Sequence, residues 1–360
     1  MIKVLKYNWV DKMSDKIKAC LVGGAIGDAL GAGIEFYSIE KIISQNGEKG
    51  VTDYTEYKDN SGEFTDDTQM TLFTAEGLIH GINKYKNELD DDLILNEVYY
   101  SYQRWLYTQG CSSQNQSYHI NNIESGDLFK NPYMQKRRAP GTTCLSSLIE
   151  GKPGNFVNPV NNSKGCGGIM RAAPVGIVFH DNIEKSFTMG CKIAALTHGH
   201  PSGYLSAGFF SSLISQLINN IELSESIITS VEILKKWKQN DEMLKIIEKA
   251  INLAENTNVS DNNNVYSFAN NIATLGGGWT GHEALAISLF CSLIYKNDFR
   301  EGVLAAINHS GDSDSTGSIT GNILGLINGI DSIPEKWIRN LKNHKIIFDI
   351  SEMLVNVVIR

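Results

Sequence analysis

An apolar helical pattern near the start of the chain carries small residues where a helix normally carries larger ones. The pattern covers residues 15–31, and its small residues are Gly23, Gly24, Ala25, Gly27 and Gly31. Each glycine would weaken an isolated helix by about 0.5–1 kcal/mol. Such a cost is tolerated where a second backbone must come close. We therefore expect this helix to lie at the centre of the domain.

The remaining sequence predicts more helices. No stretch alternates apolar and polar residues with the period of a strand, whereas helical spacing of apolar residues recurs along the chain. Proline is scarce, with 7 among 360 residues, against a usual share of about 5%. We predict an all-α fold, a single compact multi-helix orthogonal bundle of a dozen or more helices over residues 15–360. Residues 1–14 are predicted to be a short N-terminal extension.

Composition excludes several classes of partner. The net charge of −8 argues against nucleic acid, which normally requires a basic face. No apolar run reaches the roughly 18 residues of a membrane span, and charged residues interrupt the N-terminus where a signal peptide would be apolar. The six cysteines show no CxxC spacing, so they indicate no disulfide framework. We expect a soluble, cytoplasmic protein with no membrane partner.

The segment 311–317 combines two carboxylates with neighbouring hydroxyl groups, directly before a Gly-containing apolar run. Its oxygen-bearing residues are Asp312, Ser313, Asp314, Ser315 and Thr316. The pattern predicts a helix N-terminus, where the positive end of the helix dipole stabilises carboxylates. Hard cations prefer oxygen ligands of this kind.

A second cluster, Thr65-Asp66-Asp67-Thr68, also precedes an apolar run. Each cluster alone can be explained as helix capping, for which Asp, Ser and Thr are preferred. A cap needs one side-chain oxygen, however, and adjacent carboxylates repel each other unless something neutralises them. Two such helix ends facing each other would form a binuclear metal site. An EF-hand is excluded, because Ile323 stands where a calcium loop carries its bidentate Glu.

A Gly-rich segment, 165–168, precedes another apolar helical pattern. Free backbone N–H groups at such a position suit an anion, although a glycine turn before a packed helix explains the pattern equally well. The segment lacks the Lys-Ser/Thr of a P-loop, and His198 and His200 lack the i,i+4 spacing of a zinc pair. Hydrogen bonding at a helix end is the better interpretation of His198. With no GxSxG motif, the acidic residues favour metal-assisted attack of water on an electrophilic centre.

Together, several motifs in their order resemble the ADP-ribosylglycohydrolase family, which includes the dinitrogenase reductase-activating glycohydrolase and the ADP-ribosylarginine hydrolases. The motifs are GGAIGDALG at 23–31 with Glu35, FTDDT at 64–68, the segment 165–171, the pair Thr197-His198 and the segment 311–317. The match spans about residues 15–335. The paired acidic motifs are its specific part.

The resemblance implies an all-α fold with two divalent cations, Mg²⁺ or Mn²⁺, in a central cleft. By position in the motifs, the cation ligands would be Thr65, Asp66 and Asp67 for one ion, Asp312 and Ser315 for the other, and Asp314 for both. The diphosphate of ADP-ribose would be held at Ser163, Lys164, Gly165, Gly167 and Gly168, with a further hydrogen bond from His198.

The resemblance also implies a reaction, hydrolysis of the N-glycosidic bond between ADP-ribose and a protein side chain, with arginine favoured. The cations would fix the ribose hydroxyls and orient the attacking water. The candidate catalytic residues are Glu35, Asp66, Asp67 and Asp314; which of them moves the proton does not follow from sequence. Many relatives carry Asn where this chain has Cys166, which changes one side-chain contact but leaves the backbone donors in place.

Three other functions remain open at this stage. A catalytically silent module could bind ADP-ribose or a protein partner, although surplus carboxylates argue against it. A hydrolase could act on another linkage, such as serine, or on a nucleotide. A narrower version of the leading hypothesis is an immunity protein that reverses the modification made by an ADP-ribosyltransferase toxin, which would then be a partner.

Overall fold

The computed structural model describes residues 2–57, 60–86, 90–122, 126–258 and 264–359, and these residues are mostly helical. In them seventeen α-helices follow one another: α1 (Ile2–Gly31), α2 (Ile39–Asn46), α3 (Asp66–Lys84), α4 (Asp91–Thr108), α5 (Asp127–Lys130), α6 (Thr142–Glu150), α7 (Ala173–Val178), α8 (Ile183–Ala195), α9 (Pro201–Leu217), α10 (Leu223–Leu234), α11 (Asp241–Asn256), α12 (Val265–Ala273), α13 (Gly281–Ile294), α14 (Phe299–Ile307), α15 (Ser313–Asn328), α16 (Glu335–Asn340) and α17 (His344–Val358). The predicted all-α bundle is confirmed.

Helices α1 and α15 form the centre of the bundle and run antiparallel in close contact. A Cβ added at Gly27 would lie 2.0 Å from the carbonyl oxygen of Gly317, and one at Gly23 would lie 2.4 Å from that of Gly321. Backbone therefore packs on backbone along this stripe. The prediction that the small residues of the first helix admit a second backbone is confirmed.

Three helix ends converge because of this packing. The C-terminus of α1 lies beside the N-terminus of α15, where a Cβ at Gly31 would meet the carbonyl oxygen of Ser313 at 2.4 Å. The N-terminus of α3 joins them through hydrogen bonds to Asp28 of α1. Both acidic clusters are thereby carried on helix N-termini that open toward the same region.

Local differences from the sequence-based expectations have simple causes. Helix α1 begins at Ile2 rather than near Asp15, so residues 2–14 are helical and continuous with the central helix; the division of the chain at residue 14 stays a prediction. Between α2 and α3, where no strand was predicted, two short antiparallel strands are present, β1 (Glu56–Tyr57) and β2 (Asn60–Ser61).

Helix α7 also begins later than expected, at Ala173 rather than Ile169. Residues 166–168 form a separate 3-10 turn. Proline is favoured in the first turn of a helix, where its missing N–H costs nothing, and Pro174 occupies that position. Among the described residues, no helix combines the length and apolar character that a membrane crossing requires.

Candidate active site

A cleft of about 360 Å³ opens at the point where the three helix ends converge. Five acidic side chains line it: Glu35, Asp66, Asp67, Asp312 and Asp314. The fold therefore brings the two acidic clusters together, over more than 240 residues of sequence. Oxygen atoms of Glu35, Asp312 and Asp314 lie within 4.8 Å of one another.

Helix α3 presents its acidic residues from a strongly stabilised N-terminus. Thr65 is the N-cap, with its hydroxyl oxygen accepting from the N–H of Asp67 at 3.2 Å. A carboxylate from another helix adds to this cap, because Asp28 accepts from the backbone N–H of Thr65 at 2.9 Å and of Thr68 at 3.0 Å. Asp66 is fixed in turn by the N–H of Gly141, which donates to its Oδ2 at 3.1 Å.

Asp28 was not singled out from the sequence, although it lies within the GGAIGDALG motif. It is fully buried, and burial first and Asp314 second raise its pKa to about 7. The signal for it in the sequence was a carboxylate within an otherwise apolar helical pattern. Its two backbone bonds show that it orients the α3 end of the cleft.

Helix α15 presents the second acidic cluster from a tightly packed turn. The N–H of Asp312 donates to the carbonyl oxygen of Gly277 at 2.8 Å. A Cβ at the neighbouring Gly311 would lie 2.0 Å from that same carbonyl oxygen, and φ at Gly311 is +154°, so only glycine fits there. The hydroxyl oxygen of Thr316 lies 2.8 Å from two carbonyl oxygens, that of Asp312 in this turn and that of Ala306 on α14.

The cleft concentrates negative charge away from water. Burial, followed by the other carboxylates, raises the pKa of Asp67 and of Asp312 well above the usual range. Burial is also the first cause for Glu35, and the aspartates of both clusters add to it, so that its pKa rises to about 10. Raised values of this kind mark carboxylates that lack a neutralising partner.

The donor set fits divalent cations of the Mg²⁺ or Mn²⁺ class. These ions prefer oxygen ligands, and the cleft offers carboxylate oxygens together with the hydroxyl of Ser315. Oδ2 of Asp67 is buried without a hydrogen-bond partner, which is costly for a polar atom unless a ligand occupies it. Thr65 lies beside the cleft, with its hydroxyl oxygen engaged in the cap.

The predicted phosphate-binding segment lies along another side of the cleft, which Gly165 and Gly167 line. Within the 3-10 turn over 166–168 the N–H of Gly168 bonds back to the carbonyl of Gly165, whereas the N–H of Gly167 comes before the first bonded donor and has no partner inside the turn. Gly168, also predicted for this task, does not line the cleft. Cys166 lies between these glycines and the acidic residues, and its thiol donates to Oδ2 of Asp312 at 2.9 Å.

Two residues of that segment have other contacts. Nζ of Lys164 lies 2.6 Å from Oε1 of Glu242 on α11, so its charge is already paired. The hydroxyl of Ser163 contacts that of Thr143 at 3.1 Å and accepts from the N–H of Gly165. Neither residue lines the cleft as Gly165 and Gly167 do.

His198 lies beneath the glycine turn and is 1% exposed. Its Nδ1 is 2.8 Å from the hydroxyl oxygen of Thr197, which also accepts from Nη2 of Arg171 at 2.6 Å. Burial, and secondly the charge of Arg171, lower the pKa of His198 to about 3. The ring is therefore neutral near pH 7, so that one ring nitrogen donates and the other accepts.

An aromatic pair at the mouth of the cleft was not foreseen from the sequence. Phe36 stacks on Trp279 with ring centroids 4.9 Å apart, and both residues line the cleft. Phe36 has φ of +69° and follows Glu35 directly. The stack therefore restrains the backbone at Phe36, next to Glu35, in a conformation that residues other than glycine rarely adopt.

The chain is similar to known proteins along nearly its whole length. The ADP-ribosylglycohydrolase family model matches residues 10–359. An uncharacterized protein of Archaeoglobus fulgidus is 26% identical, covering 97% of this chain and 98% of its own. ADP-ribosylarginine hydrolase Tri1 of Serratia proteamaculans is 24% identical, covering 94% of this chain and 79% of its own.

The fold has a solved counterpart as well. A structure described as an ADP-ribosylglycohydrolase-related protein complex superposes with a TM-score of 0.61 at 19% identity, covering 97% of this chain and 99% of its own. That likeness concerns the fold alone. With the family model covering almost every residue, and the family's acidic motifs gathered at one cleft, the chain belongs to the ADP-ribosylglycohydrolase family.

Proposed function

We propose that this protein hydrolyses the N-glycosidic bond between ADP-ribose and an arginine side chain of a modified protein. Membership of the family supports hydrolysis of an ADP-ribosyl linkage as the class of reaction. The observation that carries the proposal is the cleft itself, in which five carboxylates face the glycine turn at 165–168. The relatives named ADP-ribosylarginine hydrolase support arginine as the linkage.

The carboxylates divide into two tasks. Asp66, Asp67, Asp312 and Asp314, with Thr65 and Ser315, would hold two divalent cations. When bound, such cations supply Lewis-acid stabilisation and orientation of the ribose hydroxyls and water. The Asp66 carboxylate stays oriented through the N–H of Gly141, and the α3 end as a whole through Asp28.

Glu35 is the candidate proton donor. Burial, the first cause of its raised pKa, favours the protonated carboxyl group, and this effect does not depend on the surrounding aspartates that the cations would neutralise. In the reaction the bond from ribose C1″ to the guanidinium nitrogen breaks through an oxocarbenium-like state. Water adds its oxygen to C1″, one water proton passes to an aspartate, and the departing nitrogen receives a proton from Glu35. The products are ADP-ribose and unmodified arginine.

The glycine turn would bind the other half of the substrate. The N–H of Gly167, together with the neutral ring of His198, is suited to the oxygens of a diphosphate. Ser163 and Lys164, which the sequence also assigned to this task, have other partners for their side chains, and the N–H of Ser163 donates to Oδ1 of Asn161. Reversal of a toxin's modification, as an immunity protein, stays a narrower form of this proposal.

The test is hydrolysis of an arginine-ADP-ribosylated protein, followed as free ADP-ribose, with Mg²⁺, with Mn²⁺ and with chelator. We expect cation-dependent release, lost in Asp314→Asn and in Asp67→Asn. Asp331→Asn is the matched control, since it makes the same change at an exposed aspartate. Full activity of both cleft variants would refute the assignment. Release from a serine-linked substrate alone would correct the linkage, and ADP-ribose binding without any turnover would indicate a binding module.

A further inference from the structure

Arg171 is a fully buried cation with no carboxylate beside it among the described residues. Its side chain is 0% exposed, and no acidic group lies within ion-pair distance. The guanidinium lies 4.2 Å from the centre of the Tyr102 ring. One strong hydrogen bond is present, from Nη2 to the hydroxyl oxygen of Thr197 at 2.6 Å. A buried charge without an ion partner is costly.

The contact fixes the direction of the next hydrogen bond. A guanidinium can only donate, so the oxygen of Thr197 accepts from Arg171. The hydroxyl then has a single hydrogen to give. Among the described residues its one other close polar atom is Nδ1 of His198, at 2.8 Å. The hydroxyl oxygen has a second lone pair, but if it accepted from Nδ1–H as well, its own hydrogen would be buried without an acceptor among the described residues, which is costly. The satisfied arrangement is therefore the one in which Thr197 donates to Nδ1.

A neutral imidazole carries one hydrogen, and it is on the nitrogen that does not accept. For His198 that nitrogen is Nε2. Among the described residues Nε2 has no hydrogen-bond partner, and the ring, which is 1% exposed, lines the cleft. A Cβ added at Gly167 would lie 3.2 Å from Nε2, and one at Gly165 would lie 3.5 Å from it. The Nε2–H donor is thus next to the glycine turn, on the wall of the cleft.

We propose that Arg171 and Thr197 are positioning residues that hold His198 in its Nε2–H tautomer, so that the ring donates to an anionic phosphate oxygen bound at the glycine turn. The opposite tautomer would present a lone pair to that oxygen and repel it. The identity of the ligand, the diphosphate of ADP-ribose, rests on the proposed function. The tautomer itself does not.

The first experiment uses the wild-type protein without ligand. Long-range ¹⁵N–¹H correlation spectra of ¹⁵N-histidine-labelled protein report which ring nitrogen is protonated, and His198→Gln identifies the signals. We expect Nε2 protonated and Nδ1 unprotonated. Thr197→Ser keeps the hydroxyl and the tautomer, whereas Thr197→Val loses the donor to Nδ1 and Arg171→Met releases the threonine oxygen. Protonated Nδ1 in the wild type would overturn the proposal, and an unchanged tautomer in Arg171→Met would remove Arg171 from it.

The second experiment measures ADP-ribose affinity by calorimetry on the same proteins. A hydrogen bond to a charged acceptor predicts a loss of roughly 10-fold or more in Thr197→Val. Thr197→Ser is the matched control and should remain within about 3-fold of the wild type. Equal affinity of the Val variant, with folding verified by circular dichroism, would overturn the proposal. Wild-type protein that binds no ADP-ribose would instead overturn the ligand assignment and the proposed function together, while the spectra still decide the tautomer.

Discussion

Replacing Gly321 of α15 with alanine tests whether close backbone packing holds the cleft together. In an exposed helix this change stabilises, by about 0.5–1 kcal/mol. Here the new Cβ would lie 2.1 Å from the carbonyl oxygen of Gly23 on α1. That distance is about 1.3 Å short of the 3.4 Å at which ordinary contact begins. The atom it meets is backbone, which cannot rotate away, so the two helices must separate.

The expected cost follows from that separation. Overpacking of a tight core costs typically about 1–3 kcal/mol, and the displaced stripe also includes the contact between Gly27 and Gly317. Since the clash is with backbone, the upper end of that range applies, and after the favourable helix term of about 0.5–1 kcal/mol we expect a net loss of about 2 kcal/mol in the free energy of unfolding. Because α1 carries Asp28, which caps α3, and α15 carries Asp314, a proposed cation ligand, separation also disturbs the proposed cation site.

Urea unfolding followed by circular dichroism, and Mg²⁺ binding followed by calorimetry, measure the two effects. Gly81→Ala is the matched control. Residue 81 lies within α3, and its new Cβ would lie 3.1 Å from the nearest atom, the Cα of Ile94 on α4. We expect that variant to stay within about 1 kcal/mol of the wild type. If Gly321→Ala is as stable as Gly81→Ala and binds Mg²⁺ normally, close packing of α1 and α15 does not organise the cleft.

Three further predictions concern the cleft. Asp67→Asn removes a buried carboxylate whose Oδ2 has no hydrogen-bond partner, so it should raise the stability of the ion-free protein by about 1 kcal/mol or more. The variant should also lose the rise in Tm that Mg²⁺ causes in the wild type; an undiminished rise would contradict this. Trp279→Ala removes the stack on Phe36 and should lower kcat about 3- to 10-fold with ADP-ribose affinity retained; unchanged kcat would count against a role in fixing the glutamate segment. The lowered pKa of His198, about 3 against 6.5, means that the unfolded chain takes up a proton that the folded protein refuses, so stability falls as pH drops below 6.5. Between pH 7 and pH 5, His198→Gln should therefore lose about 2 kcal/mol less stability than the wild type, and parallel losses would contradict the assignment.

Local physics let the sequence predict the helices and their ends. Periodic apolar residues indicated helices, and Thr65 and Asp312 were foreseen as cap-region residues because capping depends on neighbours within a few positions. The expected start of α1 was wrong by 13 residues, more than three turns of helix, since α1 begins at Ile2 and not near Asp15. The start of α7 was misplaced because the glycines of 166–168 took a 3-10 turn and Pro174 set the helix start.

The glycines of α1 indicated a contact between distant parts of the chain. Small residues at helical spacing have a cost that only close packing offsets, so they predicted a central helix but not its partner. The partner, α15, has its own glycines at matching positions. Their pairing followed from complementarity of shape, which a single helix does not specify.

Tertiary structure alone decided how the chemistry is assembled. In the folded protein Asp28 caps a helix whose first bonded residue lies 37 positions away, and Trp279 stacks on Phe36. Lys164 pairs with Glu242, and His198 lies next to the glycine turn. Each of these depends on contacts between residues far apart in the chain. The sequence by itself determined which groups could bind cations and phosphate, since that depends on side-chain chemistry, whereas burial and distance, which determine their charge and their partners, exist only once the helices have packed.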